Sequence, residues 1–429
     1  MGEEEKFAAI IVGAGPAGAA CAYRLAQAGK SVLVIERGER AGSKNVTGGR
    51  LYTYALDMLE PGLWEEAALE RKVTRERAVI IDGGQALNIE YHNPALAGEG
   101  RRPVSYTILR GVFDEWLAGK AEAMGAMVAC GIKVDGLLEK DGRIVGVRCG
   151  EDEMLADVVV AADGVNSILA RQAGLIGDIP AASVGVGVKE IIELPAPVIE
   201  ERFNLPPGEG TACMLLGCTE GIHGGGFLYT NQASVSLGCV FSPEAAARNG
   251  RQIHDIFQEL KLHPFVNALI AGGETVEYSA HLVSETGYRG IPRRLYKDGF
   301  LMAGDAAGLV INTGYSVRGI DLAIVSGLAA AEAILRSSRP EKTGALYQKE
   351  LERLVLPVMK AADGFTDLLE IPRIYSQYPA LALDLCGRLY GADGEKPLHL
   401  KKEIKTVLKS HRLSVFKLLQ DGIRGYRAI

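Results

Sequence analysis

A glycine-rich turn that directly follows a short apolar segment near the start of the chain limits the fold most strongly. Residues 8–12 (AAIIV) are typical of a buried parallel strand, residues 13–18 (GAGPAG) form the turn, and the small residues after it predict a helix. In such a unit Gly13 allows the tight turn, Gly15 lets the backbone approach a pyrophosphate, and Gly18 lets the helix pack closely on the strand. The pattern therefore predicts a nucleotide site, against the alternative of a chance glycine turn.

The next strand supports this interpretation because it ends on an acidic residue. Residues 31–36 (SVLVIE) form a second apolar segment, and Glu36 stands 23 residues after Gly13. A carboxylate near this spacing binds the adenosine ribose hydroxyls in dinucleotide folds. This spacing therefore predicts a dinucleotide-type site that includes the glycine turn, Glu36 and the neighbouring Arg37.

The remaining segments alternate between helical and strand-like patterns, which predicts an α/β fold. Residues 110–125 have apolar positions at helical spacing and end on glycine, and Asp141-Gly142 marks a hairpin turn. We expect a discontinuous Rossmann-like nucleotide-binding domain, an inserted and mainly β substrate domain, and a mostly helical C-terminal region. The nucleotide-binding domain comprises residues 1–80, 105–180 and 285–335. The substrate domain comprises residues 81–104 and 181–284, and the C-terminal region comprises residues 336–429.

Composition and charge exclude several classes of protein. The 47 Lys and Arg residues against 53 Asp and Glu residues give a net charge of −6, which argues against a general nucleic-acid binder. The seven cysteines are scattered and form no CxxC pair, so their spacing predicts neither zinc nor iron-sulfur ligands. The uncharged runs are broken by glycine and polar residues, and the leader MGEEEK is acidic. We therefore expect no transmembrane helix and no signal peptide, and a cytoplasmic protein.

Two aspartates and one arginine further along the chain indicate which nucleotide is bound. Asp163-Gly164 and Gly304-Asp305 each follow an apolar segment, and Arg110 begins the helix RGVFDEWL. Taken alone, Gly304-Asp305 is equally typical of an ordinary turn or a helix cap. Together with the first turn, this order of motifs resembles the FAD-binding family that includes para-hydroxybenzoate hydroxylase and the geranylgeranyl reductases. The resemblance implies an FAD-binding domain in which Asp305 bonds the ribityl chain of the flavin and Arg110 lies near the same cofactor.

Two longer motifs narrow the resemblance to one branch. The sequences AGSKNVTGGRLY (residues 41–52) and NTGYSVRGID (residues 312–321) resemble the FixC branch of the electron-transfer-flavoprotein:quinone oxidoreductases. The sequence HGGGFLY (residues 223–229) is similar to the glycine-led strand that lies beside the quinone in the larger members of that family. The resemblance extends over essentially the whole chain. It implies FAD as cofactor, an electron-transfer flavoprotein of two subunits as electron donor, and a membrane quinone as acceptor.

Two departures from the larger members of that family have consequences. The larger members carry a four-cysteine cluster domain at the C-terminus, whereas only Cys386 lies beyond Cys239 in this chain. The resemblance therefore implies that the iron-sulfur cluster sits on a small separate ferredoxin-like subunit, which is a second expected partner. His223 stands where the larger members have a tyrosine, which leaves the details of quinone contact open.

The candidate site residues follow from the motifs and the resemblance, and none is assigned as a catalytic acid, base or nucleophile. No metal site is expected. The predicted cofactor-binding residues are Gly13, Gly15, Pro16, Ala17, Gly18, Glu36, Arg37, Lys44, Gly48, Gly49, Arg110, Asp163, Gly164, Gly304, Asp305, Arg318, Gly319 and Ile320. The predicted quinone contacts are His223, Gly224 and Gly225. For Lys44 and Arg318 the alternative is a solvated surface charge. The helix that begins near Gly319 is expected to direct its N-terminus at the flavin pyrimidine and to raise the flavin potential.

The C-terminal tail is a basic segment. Residues 397–429 contain eight Lys or Arg residues against only Glu403 and Asp421, with apolar residues interleaved. This composition fits an amphipathic helix on an anionic membrane or on an acidic partner, which would place the protein peripherally on the inner face of the cell membrane. The alternative is a solvated helix packed on its own domain.

Two other functions are compatible with the same FAD frame. One is a prenyl reductase of the geranylgeranyl type, which reduces carbon-carbon double bonds of a lipid. The other is a flavin-bearing subunit that only docks other redox proteins and has no enzymatic activity. The predicted function is the transfer of electrons from an electron-transfer flavoprotein to a quinone.

Overall fold

Two large β-sheets organise the chain, and a helical region follows them. The computed structural model describes residues 6–44, 49–98, 100–391, 394 and 399–428. The strands are β1 (Lys6–Val12), β2 (Val32–Glu36), β3 (Arg50–Tyr52), β4 (Lys72–Asp82), β5 (Gln85–His92), β6 (Ser105–Thr107), β7 (Met127–Cys130), β8 (Gly136–Lys140), β9 (Arg143–Cys149), β10 (Asp152–Ala161), β11 (Val184–Glu193), β12 (Glu209–Leu216), β13 (Gly224–Thr230), β14 (Ser234–Phe241), β15 (Glu274–Ser284), β16 (Tyr296–Lys297), β17 (Phe300–Met302), β18 (Ile311–Asn312) and β19 (Val317–Arg318).

The α-helices cover the first sheet, pack on the second, and make up most of the C-terminal region. They are α1 (Pro16–Gln27), α2 (Tyr54–Leu59), α3 (Arg110–Ala123), α4 (Ile168–Gln172), α5 (Ala196–Phe203), α6 (Pro243–Asn249), α7 (Ile253–Leu262), α8 (Pro264–Ile270), α9 (Ile320–Arg336), α10 (Pro340–Leu354), α11 (Leu356–Ala361), α12 (Gly364–Leu369), α13 (Gln377–Tyr390), α14 (Leu400–Ser410) and α15 (Val415–Ala428). Short 3-10 turns occur between several of these elements, including Gly304–Ala307 and Pro372–Ile374.

The first sheet has a parallel centre in the strand order β17-β10-β1-β2-β7. Its strands are short apolar runs, and Ile10 and Ile11 in β1 are completely buried, as expected for strands covered on both faces. Val12 lies opposite Ala161 of β10, and Ala161 lies opposite Met302 of β17. Because the strands are parallel, the turns that follow β1, β2, β10 and β17 all emerge at one edge of the sheet. The predicted Rossmann-like arrangement is confirmed.

The second sheet is mainly antiparallel, with the order β15-β11-β14-β13-β12-β4-β6-β3 and with β5 paired to β4. Its inner face packs against α5, α7 and α8 around buried residues such as Phe203, Phe257 and Leu260. Within residues 181–284, two consecutive helices, α7 and α8, follow β14 and α6. The break between α7 and α8 follows from Pro264, which begins α8 and whose ring disfavours a helical conformation at the preceding residue.

Sheet membership differs from the predicted division of the chain at three strands. Strands β3 and β6, and the part of β4 before residue 81, lie in the second sheet, although residues 1–80 and 105–180 were assigned to the nucleotide-binding domain. β3 and β6 have only three residues each, too few to show a period in the sequence. The bulk of the predicted insert, residues 181–284, supplies β11 to β15.

The C-terminal region is helical, as predicted, and packs across the second sheet and the cavity described below. α13 contacts β4, α14 packs on α13, and α15 packs on α12. Among the described residues, no helix combines the length and the apolar character needed to cross a bilayer.

Candidate functional site

A cavity of about 670 Å³ lies between the two sheets. This volume falls within the range of about 300–1,000 Å³ that is usual for small-molecule sites. One end of the cavity is formed by the turns at the carboxyl edge of the first sheet. The other end is formed by β12, β13 and β14 together with residues 365–375. We call these the nucleotide end and the apolar end.

The glycine turn at the nucleotide end has the predicted geometry. Gly13 has φ +106°, and a Cβ placed there would lie 2.3 Å from the carbonyl oxygen of Ala162, which directly follows the neighbouring strand β10. A Cβ on Gly18 would lie 1.9 Å from the carbonyl oxygen of Gly13. α1 then begins at Pro16 with Gly15 as its N-cap and with no side chain capping its first N–H groups. Such a helix N-terminus binds anions, and phosphates above all.

Glu36 lies at the end of β2 with both carboxylate oxygens engaged by the backbone. Its Oε2 accepts a hydrogen bond from the N–H of Ala14 at 3.0 Å, and its Oε1 accepts one from the N–H of Gly38 at 2.7 Å. Each oxygen keeps a second lone pair for a ribose hydroxyl. Glu36 therefore holds the glycine turn and borders the cavity at the same time.

A buried charge cluster follows in the middle of the nucleotide end. The guanidinium of Arg110 donates from Nε and Nη2 to the two carboxylate oxygens of Asp114, at 2.8 and 2.7 Å. Burial lowers the pKa of Arg110, but the charge and hydrogen bonds of Asp114 and the charge of Asp305 outweigh this effect and raise it. Burial in turn raises the pKa of Asp305, which Arg110 opposes. Asp305 thus lies next to a fixed positive charge and points a carboxylate into the cavity.

Asp163 has an unsatisfied oxygen at the same edge. Its Oδ2 accepts a hydrogen bond from the N–H of Leu169 at 3.1 Å, whereas its Oδ1 is buried without a hydrogen-bond partner among the described residues. Burial raises the pKa of this carboxyl despite the backbone N–H groups around it. A buried acceptor without a partner is costly in a folded protein, and a ligand hydroxyl or amide would satisfy it.

The start of α9 faces the cavity, but the side chain of Arg318 does not line it. Gly319 is the N-cap, and both Gly319 and Ile320 line the cavity. Arg318 donates from Nε to Asp321 Oδ2 at 2.9 Å and from Nη2 to the Tyr54 hydroxyl at 3.0 Å. Its guanidinium also lies 5.0 Å from the centre of the Tyr52 ring. The side chains of Arg318 and Asp321 therefore pair with each other next to the first turn of α9 and do not line the cavity.

The structure brings most of the predicted site residues to this cavity. Those that line it are Gly13, Gly15, Pro16, Ala17, Glu36, Arg37, Lys44, Gly49, Arg110, Asp163, Gly164, Gly304, Asp305, Gly319, Ile320, His223, Gly224 and Gly225. Gly18 lies one turn into α1, where it packs on Gly13. Gly48 lies outside the described residues.

The apolar end combines a histidine with hydrophobic side chains. The His223 ring contacts the Tyr375 ring edge-on, with 4.8 Å between their centres. Burial lowers the pKa of His223, although the charge of Glu370 opposes this, so the imidazole is neutral near pH 7. The Tyr375 hydroxyl donates to the carbonyl oxygen of Leu369 at 2.7 Å. The apolar lining around them includes Leu215, Phe227, Val240, Phe365, Leu368 and Ile374.

Several lining residues were not predicted. His281, Glu285, Asn312, Tyr315 and Tyr375 all contribute to the cavity wall. Asn312 and Tyr315 stand inside the motif of residues 312–321, so that motif could have indicated them. The other three come from segments that carry no recognisable motif and reach the cavity only through the tertiary fold.

The described residues fit FAD. The uncapped N-terminus of α1 suits a pyrophosphate, and Glu36 suits the ribose of an adenosine. Further along the cavity, Asp305 offers an acceptor for hydroxyl groups and Asp163 offers a buried acceptor without a partner. A nucleotide that extends from the glycine turn toward the apolar end would therefore meet complementary groups along its length.

Comparisons with known protein families agree with this assignment. Residues 6–204 match the FAD binding domain, residues 184–283 match the ubiquinone-binding domain of the electron-transfer-flavoprotein:quinone oxidoreductases, and residues 365–429 match the C-terminal domain of the ETF-QO/FixC family. Among solved structures, a geranylgeranyl bacteriochlorophyll reductase-like protein from Thermoplasma acidophilum has a TM-score of 0.71 at 20% identity and covers 98% of this chain and 100% of its own. PqsL, a probable FAD-dependent monooxygenase from Pseudomonas aeruginosa, has a TM-score of 0.61 at 19% identity over 86% of this chain and 98% of its own. These structural likenesses show the fold.

Curated relatives cover the whole chain at higher identity. Protein FixC of Escherichia coli strain K12 is 42% identical over 427 residues, which is 98% of this chain and 99% of that protein. The probable electron transfer flavoprotein-quinone oxidoreductase YdiS of the same strain is 40% identical over 432 residues, 99% of this chain and 100% of that protein. This similarity favours the electron-transfer interpretation over a prenyl reductase. The protein is an FAD-dependent oxidoreductase, and the chain belongs to the FixC family of electron-transfer-flavoprotein:quinone oxidoreductases.

Proposed function

We propose that this protein takes electrons from an electron-transfer flavoprotein and delivers them to a quinone, with FAD bound along the cavity. The observation that carries the proposal is that one cavity joins a nucleotide end to an apolar end. The bound flavin would supply the redox chemistry, because it can exchange electrons one at a time or in pairs. The protein has to hold it, orient it and bring a quinone ring close to it.

The side chains and backbone at the nucleotide end hold the cofactor in this proposal. The α1 N-terminus binds the pyrophosphate, Glu36 binds the adenosine ribose, and Asp305 binds the ribityl hydroxyls. Arg110 fixes the position of Asp305 through its charge, since Asp114 already holds the guanidinium. The N-terminus of α9 would favour negative charge on the flavin ring in front of it.

The apolar end is the proposed quinone site. A quinone ring is flat and apolar with two carbonyl acceptors, and the lining offers aromatic and aliphatic side chains on several sides. Neutral His223 offers a ring N–H as a donor, and the glycines at positions 224 and 225 keep β13 open toward the cavity. Family membership supports this assignment, because the ubiquinone-binding match begins at residue 184 and contains His223, Gly224 and Gly225.

The helix α15 is the proposed membrane contact. Phe416, Leu419, Ile423 and Tyr426 follow a helical spacing on one face, and their side chains are 75%, 60%, 53% and 83% exposed. Lys417, Arg424 and Arg427 lie beside this stripe on the same helix. Apolar side chains flanked by cations are typical of a helix that lies in the interface of an anionic membrane.

The position of α15 relative to the cavity supports a membrane contact through the exposed apolar face of this helix. A Cβ built on Gly425 would lie 3.6 Å from Cδ1 of Leu368, and Leu368 lines the apolar end of the cavity. The inner face of α15 therefore abuts the cavity wall while its outer face is apolar and exposed. A lipid-soluble quinone would then leave the membrane close to its site.

The resemblance further leads us to propose a small ferredoxin-like iron-sulfur subunit as a second partner. Among the described residues, no group of three or more His, Cys, Asp or Glu side chains is placed to hold a metal ion. Purification with its native neighbours should yield a complex with flavin absorbance and a small iron-sulfur chain. A preparation in which this protein co-purifies with the electron-transfer flavoprotein but never with the iron-sulfur chain would contradict this part of the proposal.

Anaerobic half-reactions test the main proposal. The FAD-loaded protein is mixed with reduced electron-transfer flavoprotein, and bleaching of its own flavin is followed; a short-chain quinone is then added, and the flavin colour should return. Flavin that cannot be reduced would favour the non-enzymatic docking subunit. Flavin that is reduced but reoxidised only by a prenyl chain would favour the prenyl reductase.

Vesicle co-sedimentation tests the membrane contact. Wild-type protein should bind vesicles that contain anionic lipid more strongly than neutral vesicles, and the double substitution Phe416→Glu and Leu419→Glu should abolish binding. Leu262→Glu is a matched control, because Leu262 is 71% exposed at the end of α7. Equal binding of the double variant and the control would refute a role for the α15 stripe.

A further inference from the structure

Glu285 is an acidic side chain in the cavity wall for which no role has been given above. It follows directly on β15, and its backbone N–H donates to the carbonyl oxygen of Ser183 at 3.1 Å. Its side chain lines the cavity and is half-buried there. An ionisable group in such surroundings needs a physical explanation, because burial penalises its charged form.

The strand opposite Glu285 leaves room for its carboxyl group. A Cβ built on Gly185 of β11 would lie 2.9 Å from Oε1 of Glu285 and 2.8 Å from Cγ1 of Val240. The carboxyl therefore occupies space that a side chain at position 185 would fill. Val240 pairs with Gly225 across β13 and β14, which places the carboxyl next to the proposed quinone site.

The other side of the carboxyl faces the cofactor-binding motif. The side chain of Asn312 on β18 lies near the Glu285 carboxyl and lowers its pKa. The Oδ1 of Asn312 accepts a hydrogen bond from the N–H of Gly314 at 2.9 Å, so its amide NH2 is the group that can interact with the carboxyl. Asn312 begins the segment that leads to Gly319 at the N-terminus of α9. Glu285 thus lies between the nucleotide end and the apolar end.

The surroundings of Glu285 determine its charge state. Burial raises its pKa to about 7, although the nearby Asn312 side chain opposes this. The carboxyl in turn raises the pKa of Tyr375 above its usual value, secondary to the effect of burial, so the phenol stays neutral. The carboxyl can therefore hold its proton near neutral pH.

The charged and titratable groups on the elements around Glu285 include Lys189, which is buried on β11 and whose pKa is lowered by burial to about 8, with the charge of Glu277 opposing and that of Arg110 assisting. His223 touches Tyr375 on the side of the apolar end, and His281 lines the cavity four residues earlier in the chain. Arg289, on the turn after Glu285, donates at 3.1 Å to Asp363 and at 2.6 Å to Asp367 on the exposed side of α12. None of these three side chains lines the cavity.

Reduction of a quinone to a quinol consumes two electrons and two protons. We propose that Glu285 is the catalytic acid that gives one of these protons to the quinone carbonyl oxygen nearest to it, an inference that rests on the proposed function. The electrons come from the electron-transfer flavoprotein through the bound cofactor. The carboxyl O–H bond breaks as the quinol O–H bond forms, and Glu285 is left as a carboxylate. A proton from bulk solvent then returns to Glu285, and the second carbonyl oxygen takes another solvent proton, so that one quinone, two electrons and two protons give one quinol.

The side chain of Asn312 suits this cycle. It stabilises the carboxylate that remains after transfer, while burial favours its reprotonation. A donor whose pKa lies near the working pH can both give and regain a proton quickly. Glu285 satisfies this condition because burial in the cavity wall raises its pKa to about 7.

The substitution Glu285→Gln tests the proposal with the least change of shape. Glutamine can still interact with the amide of Asn312 but cannot donate a carboxyl proton. We expect quinone-dependent reoxidation of the flavin to slow by about a hundredfold, a typical loss for a general acid. Reduction by the electron-transfer flavoprotein, and reoxidation by ferricenium, which accepts electrons without protons, should remain at the wild-type rates.

The pH dependence gives a second prediction from the same variant. In the wild type, quinone-dependent reoxidation should fall as the pH rises through about 7, because the carboxyl then loses its proton. This inflection should be absent in Glu285→Gln. Difference infrared spectra of the protein without quinone should show a protonated carboxyl band that disappears through the same pH range in the wild type and is missing in the variant.

A matched control and distinct outcomes separate this inference from the proposed function. Glu274→Gln removes an exposed carboxylate from the start of the same strand and should leave every rate unchanged. A Glu285→Gln variant that keeps both the wild-type reoxidation rate and its pH inflection would overturn the inference alone. Wild-type protein that reduces no quinone at all would instead overturn the proposed function. Equal slowing with ferricenium and quinone would assign Glu285 a structural role and would also overturn the inference.

Discussion

The two ends of the cavity are built in different ways. The nucleotide end consists of turns that follow parallel strands, and its contacts are mostly made by the backbone: Glu36 is held by two N–H groups and Gly13 lies against a carbonyl oxygen directly after the neighbouring strand. The apolar end is assembled from side chains of the second sheet and of the C-terminal region, such as His223 and Tyr375. The first end is fixed by the sheet itself, whereas the second depends on how separate parts of the chain pack together.

This difference predicts which property of the protein a substitution at each end should change. A change in the backbone geometry of the nucleotide end disturbs the sheet edge and the cofactor site together. A change of one side chain at the apolar end alters quinone affinity but leaves the sheet edge intact. The effects should therefore separate into loss of FAD on one side and changes in quinone kinetics on the other.

The largest effect is expected from Gly13→Ala. The added Cβ would lie 2.3 Å from the carbonyl oxygen of Ala162, so the turn or the neighbouring strand must move. Because the displaced turn no longer places the backbone for the pyrophosphate, we expect FAD affinity to fall about a hundredfold, which corresponds to about 3 kcal/mol of binding free energy. Gly29→Ala is the control, because Gly29 also has a positive φ but its added Cβ meets no atom within 4 Å. FAD titration of the apoprotein measures both, and equal affinities would show that the turn is not rigid.

A smaller loss of FAD is expected from Asp305→Ala. The substitution removes a carboxylate that points into the cavity beside Arg110. A hydrogen bond to a charged group contributes about 2 kcal/mol, so the FAD dissociation constant should rise about thirtyfold. Asp178→Ala, at a fully exposed aspartate, should leave it unchanged. Unchanged FAD affinity in the Asp305 variant would remove this residue from the site.

At the apolar end, His223→Ala should change quinone kinetics only. It removes a ring N–H that would donate to the quinone, and a hydrogen bond of this kind contributes about 1 kcal/mol. We expect the KM for a short-chain quinone to rise about fivefold with FAD affinity unchanged. Steady-state assays across quinone concentrations, with the flavoprotein donor in excess, measure this change. Loss of bound FAD in this variant would show that the two ends are not independent.

The same difference explains how much of the fold could be predicted from the sequence. Apolar runs that stop at glycine or at an acidic residue indicated β1, β2, β10 and β17, because a strand buried on both faces must be apolar along its length. The three-residue strands β3 and β6 carry no such pattern, and their place in the second sheet depends on pairing with β4. Local patterns therefore predict elements, whereas sheet membership is decided by partners distant in sequence.

The residues of the candidate site likewise fall into those that local sequence patterns indicate and those that only tertiary contacts bring to the cavity. Gly13, Glu36, Asp163 and Asp305 were recognisable because each stands at or just after the end of a strand, and parallel strands bring such positions to one edge. Glu285 and Tyr375 were missed because neither stands in a recognisable motif; Glu285 reaches the cavity through Gly185 and Asn312, and Tyr375 through its contact with His223. Arg318 was predicted near the cofactor from its motif, but the acidic Asp321 and the Tyr54 hydroxyl hold its side chain beneath the helix start.

The smallest effect concerns the attachment of α15 to the apolar end. Asp421 accepts hydrogen bonds from Nε and Nη2 of Arg373, both at 2.7 Å, and a further one from the Tyr378 hydroxyl. The hydrogen bonds from Arg373 lower the pKa of Asp421, with burial opposing and Tyr378 assisting. Asp421→Asn should weaken the packing of α15 by about 1 kcal/mol, since Arg373 is partly exposed to water.

The pH dependence of this attachment follows from the direction of the shift. A carboxyl with a lowered pKa stabilises the fold fully above its unfolded pKa of about 3.9, and this stabilisation is lost as the pH falls through the lower folded value. Tryptic cleavage within residues 415–428 should therefore be faster in Asp421→Asn than in the wild type at neutral pH. Amide exchange in α15 should differ less between the two proteins below about pH 3. If the two proteins exchange equally at neutral pH, the contact with Arg373 does not hold α15, and the apolar end must be closed by the packing of α15 on Leu368 alone.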